Sequence, residues 1–390
     1  MHVAIMFYNI GGYHAARLRA AQNILGQNGG KLTAIQTVDN GEEHPWGNLE
    51  EEMSFPLITL LSKQQGDHKD YSPYTLDAVP AVRATLNSLQ PDVVAIAGWG
   101  FPDSRAALSW CRHHKVPTIV MSESKFDDEK RYWWRELFKS FFLIKKFSAA
   151  LVGGKAHKDY LIKLGFPENH IFLGYDAVDN DYFLQGADQA RKNPVAVRET
   201  QIPKKPYFIA VTRLIKRKNI ERLVKAYAVY RDKVGVDQAW ELVICGSGVE
   251  APAIKALIND KNIMNCVHLP GFISYKEIIN WYGLANAFIH PALQEQWGLV
   301  VNEACAAGLP ILGSRTVGAC AELVRDGENG FLFEPSRLDD ISDSLIKVHN
   351  LSEESRKKMG EASRKRVAVC SPEQFANGFF NAVTVALKKI

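Results

Sequence analysis

Short apolar runs rich in Val, Ile and Phe recur at residues 2–8, 32–38, 92–98, 117–121 and 149–153, each separated from the next by a longer stretch of helical period. This alternation constrains the fold more than any other feature, because parallel strands need long crossovers, usually helices, packed on the sheet. The pattern dissolves in the polar stretch 179–205, which holds Pro194 and Pro203. It resumes at 207–211 and continues through 241–245, 266–269, 287–290 and 309–313, with helix-like segments at 219–233 and 251–261. The expectation is α/β architecture: two Rossmann-like domains, 1–190 and 191–370, with parallel sheets facing a central cleft. Residues 371–390 read as a terminal helix returning to the first domain, with Ser371 as its cap and Pro372 at its first position.

A chain of 390 residues, 46% hydrophobic and 23% charged, has the length for two domains with a core each. The net charge of +4, from 47 basic and 43 acidic residues, is too small to call for a nucleic-acid partner. Cys111, Cys245, Cys266, Cys305, Cys320 and Cys370 show no C-x-x-C spacing. They point to neither a zinc site nor a disulfide framework, and to a reducing cytoplasm. Residues 1–8 lack a basic leader and run into Gly11-Gly12, so they read as a first strand. No run reaches the ~18 apolar residues of a membrane span. The expected location is cytoplasmic, free or peripheral on the inner face of a membrane.

The densest cluster of chemistry is the run from Gln294 to Ala304, which carries Glu295, Gln296, Trp297, Gly298, Leu299 and Glu303 just after the strand ending at His290. Two glutamates with seven residues between them suit a ligand with hydroxyls at two ends. If Gly298 opens a helix, free backbone N–H groups and the positive helix end meet a phosphate between the two carboxylates. Taken alone, the same spacing also describes an exposed loop carboxylate followed by a solvated helix carboxylate.

With this stretch, Val211-Thr212-Arg213-Leu214 and Gly327-Glu328-Asn329-Gly330-Phe331-Leu332, the sequence resembles glycosyltransferase family 4 over nearly the whole second domain and more loosely at its start. The resemblance implies the GT-B fold and a retaining transferase acting on a nucleotide-diphosphate sugar, with no metal or other cofactor. It implies that Glu303 bonds the ribose, that Glu295 lies beside the transferred sugar, and that Arg213 and Lys218 neutralise the diphosphate, as positioned cations do for a departing phosphate. Gly246 is expected at a strand-to-helix turn near the nucleotide, Gly271 and Phe272 beside the base, and Gly12 of the first domain against the donor phosphates. His14 is a candidate for acceptor binding or proton handling, although a lone histidine on a helix also has an ordinary structural role. Many family members carry a histidine after the strand at 117–121. This sequence has Ser122-Glu123-Ser124-Lys125 there, so Glu123 becomes the acceptor-side candidate.

Other chemistries fit less well. A hydrolase would need its two carboxylates about 5–9.5 Å apart, whereas eight helical steps set Glu295 and Glu303 about 12 Å apart. The D-x-D form of metal-dependent GT-A transferases occurs at Asp179-Asn180-Asp181, but in the polar linker. A nucleotide-sugar epimerase of the same fold and a catalytically silent sugar-nucleotide binder are the alternatives. Residues 131–147 place Arg131, Arg135, Lys139 and Lys146 in one helical sector, opposite Trp133, Trp134, Leu137, Phe141 and Ile144. Two readings stay open: an anionic membrane surface contacting a basic amphipathic helix, or a structural helix with its apolar side on the sheet. The expected partners are a nucleotide-sugar donor and a glycan or lipid-linked acceptor.

Overall fold

The computed structural model describes residues 1–39, 54–62, 72–128, 131–195 and 202–388. They form two compact units, one of Met1–Asp179 with Cys370–Ile390 and one of Asn180–Val369.

The first unit is built on β1 (His2–Phe7), β2 (Lys31–Val38), β3 (Leu57–Leu61), β4 (Val93–Ala97), β5 (Thr118–Ser122), β6 (Ala149–Val152) and β7 (Ile171–Leu173). They lie side by side in the order β3-β2-β1-β4-β5-β6-β7, all parallel. Both faces are covered, which is why the central strands read as continuous apolar runs. Val3, Ile5 and Phe7 point to one core, shared with the helices Gly12–Gln27 and Pro372–Leu387. Ala4 and Met6 point to the other, with Val82, Leu86 and Trp110. The helix Pro372–Leu387 begins as its sequence indicates, with Ser371 Oγ accepting the Gln374 amide at 3.3 Å. It inserts Phe375, Phe379 and Val383 against the first helix and the sheet.

The second unit holds β8 (Tyr207–Val211), β9 (Glu241–Cys245), β10 (Val267–Gly271), β11 (Ala287–His290), β12 (Ile311–Ser314) and β13 (Gly330–Phe333). Their order is β10-β9-β8-β11-β12-β13, again parallel. The chain moves outward from β8 to β10, then starts again on the other side with β11. In such open sheets the crevice beyond the carboxyl ends of the two strands at this switch point is where ligands bind.

Three sequence expectations are corrected. The division falls after Asp179, and the boundary expected at 190/191 cuts a helix, Asn180–Lys192, that belongs to the second unit. Its buried face is Phe183, Ala187 and Ala190, and it packs on the helix Tyr275–Leu284, with Gly186 against Ile279 and Ala190 against Gly283. Small residues at the contact weaken the apolar signal that would have marked a helix in this polar stretch. Second, β3, β7 and β13 were not anticipated.

The third correction concerns 131–147. The helix runs only over Trp133–Phe142 and is followed by a 3₁₀ turn, Ile144–Lys146. Two of the cations expected on its solvent face turn inward. Arg131 is bonded to Asp128 and lies 4.5 Å from the Tyr160 ring centre, while Lys139 Nζ donates to Glu136 at 3.1 Å and to the Tyr160 hydroxyl at 2.8 Å. Trp133, Trp134, Leu137, Phe138, Phe141 and Phe142 are exposed, although Ile144 and Phe147 are buried. Among the described residues no helix is long and apolar enough to cross a membrane.

Candidate functional site

At the carboxyl end of β8 the chain passes Arg213 and enters a single 3₁₀ turn, Lys216–Lys218. Asn219 leaves the turn with φ of 62°, a left-handed conformation that asparagine tolerates better than most residues. Its amide Nδ2 donates to the carbonyls of Pro291 at 3.0 Å and Pro335 at 2.9 Å. The Leu293 amide donates in turn to the Arg217 carbonyl at 2.8 Å. The loop after β8 is thereby tied to the loop after β11.

That tie brings Lys218 to Glu295. The lysine ammonium donates to Glu295 Oε2, and Nε2 of His290, the last residue of β11, lies 3.3 Å from the same oxygen. Burial alone would push the Glu295 carboxyl up. The bond to His290 and the Lys218 charge outweigh it and hold the group below the usual glutamate range. Burial keeps His290 below its ordinary value, so the imidazole is neutral at neutral pH and donates to the carboxylate. Gly298 follows with φ of +102° and opens the helix Leu299–Ala306. The left-handed turn favours glycine, and a Cβ there would also be tight, 3.3 Å from Glu295 Cγ and from Val317 Cγ1. The helix start presents unsatisfied N–H groups and the positive end of its dipole beside the Lys218–Glu295 pair. The eight helical steps expected between the glutamates are not all there. Glu295 precedes the helix, in a parallel bridge to Val317.

Glu303 lies further along this helix, buried, and accepts a 2.8 Å bond from the Tyr282 hydroxyl. Burial raises its carboxyl to about 7, with the Tyr282 bond opposing the rise. A carboxyl at that value titrates in the physiological range, and its charged form only accepts hydrogen bonds.

The remaining sequence candidates divide. Gln296 is exposed on the loop, and Phe272 is exposed just beyond β10. Leu299 is the first helical residue. Trp297 is buried, its indole donating to Asn302 Oδ1 at 2.9 Å, and it anchors the loop as part of the interior. Gly246 is required by the fold itself: a Cβ there would lie 1.8 Å from the Thr212 carbonyl oxygen. Its amide donates to the Gly271 carbonyl at 2.7 Å, so these two glycines hold the ends of β8, β9 and β10 together.

In the first unit, Gly12 is the first residue of its helix and His14 Nδ1 accepts the Gly11 amide at 3.1 Å. The ring centre also lies 4.7 Å from that of Phe7, so His14 caps its own helix from a packed position. Burial, with the charge of the neighbouring Glu123, pushes the Asp176 carboxyl well above the usual carboxylate range. Glu123, the acceptor-side candidate, thus stands beside a second carboxyl. Asp179 of the D-x-D sequence pairs with Arg19 at 3.4 Å.

Sequence reasoning missed His290, Tyr282 and Asn219. His290 carried a signal, a histidine closing a strand immediately before the site loop. Tyr282 had none, because it reads as one more apolar position on a helix.

A family model described as glycosyl transferases group 1 matches residues 194–366. The chain is 30% identical over 212 residues to D-inositol 3-phosphate glycosyltransferase of Corynebacterium jeikeium, covering 50% of this chain and 49% of that protein. It is 27% identical over 150 residues to 2-deoxystreptamine N-acetyl-D-glucosaminyltransferase of Niallia circulans, covering 38% of each. The chain thus spans about half, or less, of the curated relatives it matches. Among solved structures, sucrose-phosphate synthase of Thermosynechococcus elongatus superposes with a TM-score of 0.75 at 18% identity over 100% of both chains. HepE of Anabaena, solved with UDP and glucose, does so with a TM-score of 0.73 at 14% identity over 98% of this chain and 99% of that one. At these identities the likeness shows the fold, which is GT-B, with two Rossmann-like units.

Proposed function

We propose, from the match of residues 194–366 to the glycosyl transferases group 1 family model, that this chain transfers a hexose-type sugar from a nucleoside-diphosphate sugar to an acceptor hydroxyl with retention of configuration. The observation that supports this most is the Lys218–Glu295–His290 cluster at the switch point of the second sheet, set beside the start of the helix Leu299–Ala306. A diphosphate brings negative charge to that place, and Lys218, Arg213 and the helix start oppose it. Glu295, held charged by His290 and Lys218, faces the sugar, where positive charge develops as its bond to phosphate loosens. Glu303 accepts from the ribose hydroxyls.

In the reaction the bond from the anomeric carbon to the phosphate oxygen breaks and the acceptor oxygen bonds to the same face of that carbon. The acceptor proton passes to a leaving phosphate oxygen, so no side-chain nucleophile is consumed. Interactions that strengthen as the phosphate departs contribute to turnover beyond their contribution to binding. The acceptor in this reading is a glycan or lipid-linked hydroxyl.

The test is incubation with a panel of nucleotide sugars with and without acceptor, read by nucleotide release and by the anomeric configuration of the product. UDP-sugars come first, since the HepE structure holds UDP and glucose. Acceptor-dependent release with a retained anomer supports the reading. Epimerised donor without acceptor would assign an epimerase, and donor that binds but stays intact a silent binder.

A further inference from the structure

The helix Trp133–Phe142 turns its aromatic side chains outward. Trp133 is 76% exposed, and Trp134, Leu137, Phe138, Phe141 and Phe142 are each at least half exposed. A contiguous apolar surface of this kind is unfavourable in water and marks a place that something covers. Cations sit over its rings. The Arg135 guanidinium lies 5.0 Å from the Trp134 ring centre, Lys145 Nζ 4.2 Å from that of Phe141, and Lys163 Nζ 3.3 Å from that of the neighbouring Phe126.

Among the described residues the acids nearby are already matched. Among residues 131–147 the one acid is Glu136, which turns inward to Lys139 and Tyr160. Asp128 is held by Arg131, and the exposed Asp127 lies 3.3 Å from Lys125. The outward charge of the patch is therefore basic, through Arg135, Lys145 and Lys146. Two copies of this chain meeting through the patch would bring those like charges together, which is unfavourable. A bilayer bearing anionic lipid matches both features, since aromatic side chains settle at the boundary of headgroup and acyl chain while cations reach to the phosphates. Ten helical residues extend about 15 Å, half the hydrocarbon thickness, so the element lies in the surface plane.

We propose that the helix Trp133–Phe142 with the turn Ile144–Lys146 seats the first unit on an anionic membrane surface, its aromatic face entering the bilayer and its lysines meeting lipid phosphates. The experiment uses the full chain with vesicles of phosphatidylcholine alone and of phosphatidylcholine with phosphatidylglycerol, read by co-sedimentation and tryptophan emission. Binding is expected only to the anionic vesicles, with a blue shift in emission and weakening as salt is raised. Trp133→Ser with Phe141→Ser should weaken it about tenfold or more. Lys145→Glu with Lys146→Glu should remove its salt dependence. All four positions lie at the surface, so unchanged circular dichroism and unfolding temperature check that the variants fold. Failure of the unaltered chain to bind anionic vesicles overturns the proposal, as does equal binding by the Ser variants. A dimer in solution that the Ser variants dissolve would overturn it in favour of a protein interface. Nucleotide binding, measured on the same samples, reports on the second unit, so the membrane surface and the transferase reading stand or fall separately.

Discussion

The hydroxyl of Tyr282 donates to Oε2 of Glu303 at 2.8 Å in a buried setting, and this bond holds the carboxyl near 7 against a burial effect that would drive it higher. The charged form is the one that accepts from a ribose. Nucleoside diphosphate affinity should therefore rise from pH 6 to pH 8, with proton release on binding that calorimetry in buffers of differing ionisation enthalpy detects. In Tyr282→Phe the carboxyl moves further up, so affinity at pH 7 falls and the midpoint shifts to higher pH. A pH-independent affinity would remove Glu303 from the nucleotide site.

The same group leaves a mark on folding. Its native value lies above the ordinary glutamate value of 4.5, so its contribution to stability is full below about 4.5 and is lost as pH climbs through 7. Glu303→Gln should flatten that part of the stability profile, measured by urea unfolding between pH 5 and 8. Glu295, held below its ordinary value, acts in the opposite sense. Its contribution is present at neutral pH and declines only in acid, as pH falls below 4.5.

The two glutamates should also separate in kinetics. Glu303→Gln should weaken nucleoside diphosphate and intact donor alike, by about ten- to a hundredfold, the usual worth of a charge-assisted hydrogen bond. Glu295→Gln should leave nucleoside diphosphate affinity nearly unchanged and depress kcat, as for an interaction made mainly in the transition state. If the Glu295 variant loses nucleotide binding while the Glu303 variant only turns over slowly, the roles are reversed.

Asn219 joins two loops through one side chain. Asn219→Gly keeps the left-handed backbone but leaves the Pro291 and Pro335 carbonyls without its amide. A loss of about 1–3 kcal/mol of stability is expected, with reduced donor affinity because Lys218 is no longer held to Glu295. Unfolding and donor titration on the same preparation check both, and an unchanged donor affinity would limit Asn219 to a structural role.

Much of the fold was legible because parallel, doubly covered strands read as near-continuous apolar runs, as β1, β4, β8, β9 and β11 do. β3, β7 and β13 are edge strands and are covered less completely, β3 being half-buried throughout, so their apolar pattern is weaker. The helix Asn180–Lys192 hid for a different reason, since its contact uses Gly186, Ala187 and Ala190, whose small side chains do not stand out as apolar. At the site, Glu295 and Gly298 were legible in one dense run, and Lys218 through the family resemblance. Their partners His290 and Tyr282 were not, because the pairing depends on which strand ends and helix faces the topology brings together. The wheel for 131–147 separated a basic from an aromatic sector, but Arg131 and Lys139 turn inward, Arg135 stays exposed and Ile144 is buried. Tyr160 and Asp128, which draw Arg131 and Lys139 inward, lie outside the segment the wheel considers.

Activity should persist in excess chelator, since Arg213, Lys218 and the helix start supply the charge that opposes a leaving diphosphate. Initial rates with and without chelator, then with added magnesium or manganese, test it. Loss of activity that either metal restores would mean the cations do not suffice.

The helix Pro372–Leu387 closes the core of a unit whose other residues end at Asp179. A ribosome therefore delivers the second unit as one uninterrupted stretch, able to fold as it emerges, while the first waits with Phe7, Leu18 and Leu151 uncovered until the last helix appears. The earlier-made half of the chain is the later to mature. During that interval its bare sheet face is the part of the nascent protein most in need of shielding from aggregation.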